Sequence, residues 1–375
     1  NGVAIGSVLM MAALGLAIVF GLMGGINLAH GELIMLGAYT TYVVQMVFKL
    51  PAFQPIYSLY VLVAIPLAFV VSGVVGILLE RTVIRRLYGS PLETLLATWG
   101  VSLILQQFVR SVPLAHAAGL ILALVLGFGL PLVLPQHLFE GPRARINRAI
   151  TWAVSAFGGV LLAGGLASQI SRIARATSRN VDVTAPKWMR GGIEWMDITF
   201  PVPRLVIIVM TILAVLGVTW FLNRSVWGMR IRAVTQNRSM SDCLGIPTDT
   251  VDVLTFGIGS GLAGVAGVAV SLLGSVGPNV GGSYIVGCFM VVVLGGVGNL
   301  LGTVLASFAI GLMTDLIGAG RLLTIWPEMP APLAGAVNFF ATTSMAQVLV
   351  FALIVVFLQF RPAGLFPQKG RMVEA

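Results

Sequence analysis

Apolar residues run in long blocks along this chain, separated by short polar or glycine-rich breaks. A membrane-spanning helix needs roughly 20 consecutive, mostly apolar residues. About eleven segments approach that scale: 5–24, 29–48, 57–80, 92–112, 117–135, 149–167, 203–222, 252–273, 284–297, 302–318 and 345–360. The pattern predicts an all-α polytopic membrane protein of about 9–11 transmembrane helices, built as one transmembrane domain over 1–375. Segments 284–297 and 302–318 are too short to span upright and are parted by Gly295, Gly296, Gly298 and Asn299. Lipid offers no hydrogen bonds, so irregular backbone at membrane depth must lie inside protein or beside water. This break is expected to be buried or near a pathway. Gly24, Gly25, Asn27 and Gly31 make a similar weak point between the first two segments.

Composition narrows the class. Apolar residues make up 58% of the 375 and charged residues 9%, against about 25% charged in an average soluble domain. Too little charge is present to cover a water-facing surface. The net charge of +9 does not indicate nucleic-acid binding, because the basic residues lie between apolar runs. Two cysteines, Cys243 and Cys288, read as small apolar residues and exclude a disulfide scaffold.

Lys and Arg near span ends set orientation. With the 223–251 loop cytoplasmic (Arg224, Arg230, Arg232, Arg238), alternation puts Arg81, Arg85 and Arg86 on that side. Arg143, Arg145, Arg148 and the C-terminal Arg361, Lys369 and Arg371 join them, and the N-terminus falls outside. The misfit is 168–204, whose Arg172, Arg175, Arg179, Lys187, Arg190 and Arg204 land outside. Catalytic patterns are missing. No G-x-x-x-x-G-K-[ST] loop exists to cradle ATP. His30, His116 and His137 lack metal-ligand spacing, and no H-E-x-x-H or G-x-S-x-G motif occurs.

Four features carry mechanism. Asn27-Leu28-Ala29-His30-Gly31-Glu32 places an acid in a span, which costs about 2.5–3.5 kcal/mol on insertion scales. Glu32 should face protein or water, with His30 or Asn27 as partner, either as part of a translocation pathway or as a first-turn cap favoured by the helix dipole. Thr94, Thr98, Ser102 and Gln106 recur every four residues and share a helical face. That stripe either passes a small polar solute or bonds a neighbouring helix. Gly257, Gly259, Gly261, Gly264 and Gly267 form a close-packing face. Residues 228–243 predict one short amphipathic helix, with Met229, Ala233, Met240 and Leu244 near one face, Gly245 at its C-cap and Pro247 blocking continuation. Alone, it reads better as a helix lying on anionic lipid.

The G-x-R-x-R-A-x-x-x-N…G-I loop at 228–246 resembles the coupling loop of ABC-importer permeases. Asn27–Glu32 followed by Gly37-Ala38-Tyr39 resembles the branched-chain amino acid permease family. Similarity to its urea permease branch rests on residues 94–100, 233–238, 243–246, 289–300 and 361–366. The resemblance covers about 1–112 and 177–375; segment 113–176 departs from it as an inserted apolar pair, and 113–200 is expected to be peripheral to transport. It implies a multi-pass importer subunit in the bacterial inner membrane, moving urea or short-chain amides, with branched-chain amino acids as the alternative and a passive channel as a third reading. It also implies partners: a second related permease in a heterodimer, two ATPase subunits and an extracytoplasmic substrate-binding protein. No catalysis, metal or cofactor is implied on this chain; ATP and Mg²⁺ would sit on the ATPases. By the same carry-over Gly228, Ala233, Asn237 and Gly245 belong to the coupling element, and Arg230 and Arg232 make rim contacts with an ATPase.

Overall fold

A computed structural model of the chain describes residues 2–23, 27–111, 116–121, 123, 151, 155, 180–195, 198–321, 339, 341–362 and 364–366. Nine expected apolar segments coincide, within a few residues, with described helices. These are α1 (Gly2–Met23), α2 (His30–Phe48), α3 (Tyr60–Thr82), α4 (Pro91–Ser111) and α5 (Val202–Arg224), then α8 (Thr248–Leu273), α9 (Val280–Gly295), α10 (Leu300–Gly318) and α11 (Thr343–Phe360). Two short helices, α6 (Val226–Gln236) and α7 (Arg238–Cys243), lie between α5 and α8. A two-stranded antiparallel hairpin, β1 (Gly192–Trp195) and β2 (Ile198–Pro201), precedes α5, with Glu194 opposite Thr199. Six of the described helices are long and apolar enough to cross a membrane. Segments 117–135 and 149–167, and Arg143, Arg145, Arg148 and His137, fall largely or wholly outside the described residues.

α8 is the central post. It packs against α1, α2 and α3, and most of its length is buried. Glycine makes this possible. A Cβ on Gly264 would meet the backbone of Ala68 on α3, and one on Gly267 would meet the backbone of Ile34 on α2. In lipid no hydrophobic force draws helices together, so close backbone approach supplies the contact energy instead. The glycine face read from sequence is this interface.

The connections fall on two faces. One carries the α6–α7 segment, the elbow 83–90 between α3 and α4, the turn 296–299 and residues 361–366; Arg85 meets Asp249 there and Leu365 N–H donates to the Leu294 carbonyl. The other carries 49–59, 180–201 and 274–279, where Tyr60 Oη–H donates to the Thr184 carbonyl. α4 ends on this second face, with Arg110 donating to Asn279 at 2.8 Å. The chain is described again at residue 180, and Val181 pairs with Val276 through two backbone hydrogen bonds. The end of α4 and Val181 therefore lie at one face.

The Gly295–Asn299 break is a turn at the first face and not a deep interruption. Gly296 and Gly298 take φ of 98° and 81°, and the Asn299 side chain accepts from Gly302 N–H at 3.2 Å. Gly295 and Gly296 are nonetheless buried, as expected of the break, and further buried irregular backbone lies at Asn27, Ala29 and 276–278. These segments lead into α2 and α9, whose starts touch backbone to backbone at Gly31 and Gly281. Gly24 and Gly25 lie outside the described residues.

Candidate functional site

The polar features of α2 and α4, separate in sequence, meet in space. Glu32 sits in the first turn of α2 and is 1% exposed. Its Oε1 accepts from Ser102 Oγ–H at 2.9 Å and from Gln106 Nε2–H at 2.8 Å. The partner is thus the α4 stripe and neither His30 nor Asn27. Helical spacing explains why: Ser102 and Gln106, one turn apart, present two donors to one carboxylate oxygen. His30 is held instead by the Ala12 carbonyl at 3.0 Å from Nε2. Asn27 is spent locally, its Oδ1 accepting from Ala29 N–H at 3.0 Å. Thr98 Oγ1 accepts from Leu28 N–H at 3.2 Å, so α4 touches the irregular entry to α2 as well. Thr94 stays within its own surroundings, donating to the Leu87 and Ser90 carbonyls and fastening α4 to the elbow. Glu32 Oε2 and Asn27 Nδ2 are buried with no hydrogen-bond partner among the described residues. A hydrogen bond to a charged group is worth about 1.5–3 kcal/mol, and a buried polar atom left unpaired costs about 1–3 kcal/mol. The cluster therefore holds two helices together while keeping one acceptor and one donor unspent.

The second site is the segment after α5. The expected single helix over 228–243 is two helices with a break at Asn237, whose φ of −154° and ψ of 105° are extended. The reason is the Asn side chain: Oδ1 accepts from Met240 N–H at 2.9 Å and starts α7. Asn237 thus shapes the corner. Gly228 is buried at the α5–α6 elbow, where a Cβ would meet the Phe221 and Leu222 backbones, and Ser225 Oγ caps α6 by accepting from Gly228 N–H at 2.8 Å. Gly245 has a φ of 78°. Its N–H donates to the Asp242 carbonyl and that of Ile246 to Ser241, the paired bonds of a Schellman C-cap. Ala233 is half-buried.

Both faces of this segment are legible. Ile231 and Val234 turn inward, while Met229 (59%), Met240 (58%) and Leu244 (75%) stand exposed. Arg230 stacks over Trp227 at 4.8 Å, and Arg232 donates to Asn223 Oδ1 at 3.2 Å. A cleft of about 180 Å³ opens beside them, lined in part by Gly21, Asn223, Arg232, Thr235, Gln236 and Gly298.

Sequence reasoning passed over a third group. At the root of the segment Arg238 meets Asp252 and Tyr88, and nearby Arg85 meets Glu80 and Asp249. From sequence Arg85 reads only as topological charge and Arg238 as one of the coupling-loop arginines. The available signal was an acid at each end of an apolar run, Glu80 and Asp252. Among the described residues, no group of His, Cys, Asp and Glu could hold a metal ion.

Along its sequence the chain is similar to named transport proteins. LivH, a high-affinity branched-chain amino acid transport system permease protein of Salmonella typhimurium, is 27% identical over 97% of this chain and 93% of its own length. LivH of Escherichia coli K12 gives the same figures. BraD of Pseudomonas aeruginosa, which has the same descriptive name, is 26% identical over 97% of this chain and 93% of its own length. No solved structure matches. All three relatives are transport permease components and not enzymes. The family model described as branched-chain amino acid transport system, permease component, matches residues 1–358, nearly the whole arrangement of helices laid out above, and the chain is a member of that permease family.

Proposed function

We propose that the chain is the permease subunit of an ATP-driven importer that carries branched-chain amino acids across the bacterial inner membrane. The observation that carries the reading is the α6–α7 segment. It is a stiff corner, capped at both turns, rooted in the helices by Gly228, Ile231 and Val234 and presenting exposed Met229, Met240 and Leu244. A membrane-surface helix gains nothing from such caps at a corner, whereas a lever pressed by an ATPase needs rigidity. In this reading Ala233, Asn237 and Gly245 shape the surface an ATPase grips, and Arg230 and Arg232 border it. The face bearing it is cytoplasmic, which puts the N-terminus outside and the C-terminus inside. Two ATPases, holding ATP and Mg²⁺, a second related permease and an extracytoplasmic binding protein complete the machine.

The names of the relatives support branched-chain amino acids over the urea or short-chain amides expected from the motifs. The α2–α4 cluster fits a passing zwitterion, since Glu32 offers an unspent acceptor to an ammonium group and Asn27 an unspent donor to a carboxylate. Ser102 and Gln106 hold Glu32, Thr98 holds the Leu28 N–H beside Asn27, and His30 ties the start of α2 to the Ala12 carbonyl of α1. Reconstitution of the complex in proteoliposomes tests this. ATP-dependent uptake of leucine, abolished without the ATPases, is the expected result. Uptake of urea but not leucine would transfer the chain to the urea reading, and solute flux without ATP would overturn the importer.

A further inference from the structure

The exposed part of the coupling segment explains how an ATPase takes hold, but not how its motion reaches the spans. The root of the segment contains a charge network that can do so. Arg238, the first residue of α7, reaches Asp252 of α8 with 2.6 Å between Nη2 and Oδ2. The guanidinium lies over the Tyr88 ring, 4.6 Å from its centroid. Tyr88 belongs to the α3–α4 elbow, as does Arg85, which contacts Asp249 in the first turn of α8 at 2.8 Å. Asp242 of α7 adds a second tie, accepting from Thr248 Oγ1–H at 2.6 Å. Burial pushes the Tyr88 phenol up, and the Asp252 and Glu80 carboxylates push it further, so Tyr88 remains a neutral platform.

Glu80 is the odd member. It is fully buried at the end of α3, and, as at Asp252, neither carboxylate oxygen meets hydrogen-bond geometry among the described residues; unlike Asp252, it has no close ion pair. Its nearest cation, Arg85 Nε, is 3.8 Å away, beyond hydrogen-bond range. Removing the partner of a buried ion costs more than the pair gains by forming, so such a network resists sliding and prefers discrete pairings. One buried carboxylate is closely paired with Arg238, and another beside it has only the long ion pair with Arg85.

We propose that Arg238, Asp252 and Glu80 are positioning residues for transport: Arg238 fastens the coupling segment to α8, and Glu80 is the second carboxylate that receives a guanidinium when the segment shifts. The elbow between them leads directly into α4, whose Thr94 is tied to Leu87 and Ser90 and whose Ser102 and Gln106 hold Glu32. A displacement at α7 is thus handed to the α2–α4 contact along an unbroken chain of polar links. The inference rests on the importer reading.

The test uses the assembled complex of this chain with its ATPases, second permease and binding protein, and measures assembly, ATP hydrolysis and leucine uptake separately. Arg238→Gln is expected to keep hydrolysis while uptake per ATP falls about tenfold or more, and Arg238→Lys to recover part of it. Glu80→Gln removes a charge that makes no hydrogen bond here, so assembly should be unimpaired, yet uptake per ATP should also fall. The double variant Arg238→Gln/Asp252→Asn removes both charges of the pair together. A merely structural pair would regain wild-type coupling in it; a transmitting pair stays uncoupled. Wild-type uptake per ATP in Glu80→Gln, or restored coupling in the double variant, would overturn the proposal while leaving the importer reading intact. If the unaltered chain captures no ATPase, both readings fall.

Discussion

Gly245 and Glu32 show how single residues set their surroundings. With φ at 78°, Gly245 closes α7, and any side chain there meets the left-handed penalty of about 1–2 kcal/mol. Gly245→Val should lower the melting temperature of the detergent-solubilised protein and weaken ATPase capture in the same samples; an unchanged melting curve would show that the cap contributes nothing. Glu32→Leu leaves Ser102 Oγ and Gln106 Nε2 without their acceptor, a loss of about 1–3 kcal/mol. Glu32→Gln keeps an acceptor for both donors and should therefore be nearly as stable as the parent, while leucine uptake slows because the charge is gone. Equal uptake by Glu32→Gln and the parent across pH would confine Glu32 to holding α4. The presence of a costly acid in a span was plain from sequence, since hydrocarbon penalises any acid. Its partners were not, because the donors lie 70 and 74 residues away on another helix.

At the scale of elements, α8 and the coupling segment carry different kinds of information. The glycine repeat of α8 was read as a packing face from spacing alone, and the partners, α1, α2 and α3, came only with the fold. Gly264→Leu should be severe, because overpacking costs about 1–3 kcal/mol even where side chains can yield, and here the Ala68 backbone blocks the way. Loss of the folded monomer on size-exclusion chromatography is the expected outcome; a normal elution profile would mean that the helices can part cheaply. For the coupling segment, Ala233→Trp should weaken ATPase association or separate hydrolysis from uptake without affecting capture of the binding protein. Site-directed crosslinking from Asn237 is expected to trap an ATPase subunit, and adducts confined to lipid would return the segment to the membrane surface. Helical periodicity ran straight through Asn237, since both halves keep compatible spacing. What broke the helix was a side chain competing with the backbone for Met240 N–H, a choice that local periodicity does not register.

On the whole-molecule scale, the placement of the end of α4 and of Val181 at one face makes a strong expectation. Removal of about 115–172 leaves α4 and α5 pointing as they do now, anchored through Arg110 to Asn279 and through Val181 to Val276. The shortened chain should insert, assemble and retain ATP-dependent leucine uptake, measured in the same proteoliposomes as the parent. Loss of uptake in a correctly inserted, assembled deletion would make the segment part of the transport path. The alternating faces also gather Arg85, Arg238 and Arg361 on one side, as the distribution of basic residues indicated, and leave Lys187 and Arg190 on the other against that trend.

Sequence by itself determined that the chain is a bundle of membrane helices, where those helices begin and end, and that its polar residues within spans must turn inward. These are consequences of solvent: hydrocarbon demands internally bonded backbone and penalises charge wherever the chain crosses it, so a linear reading suffices. Tertiary structure alone decided which polar groups meet. Glu32 finds Ser102 and Gln106, Arg238 finds Asp252, and Glu80 is buried beside them without a hydrogen bond, because those distances depend on how far glycine-lined helices close upon one another and on the register at which they stop.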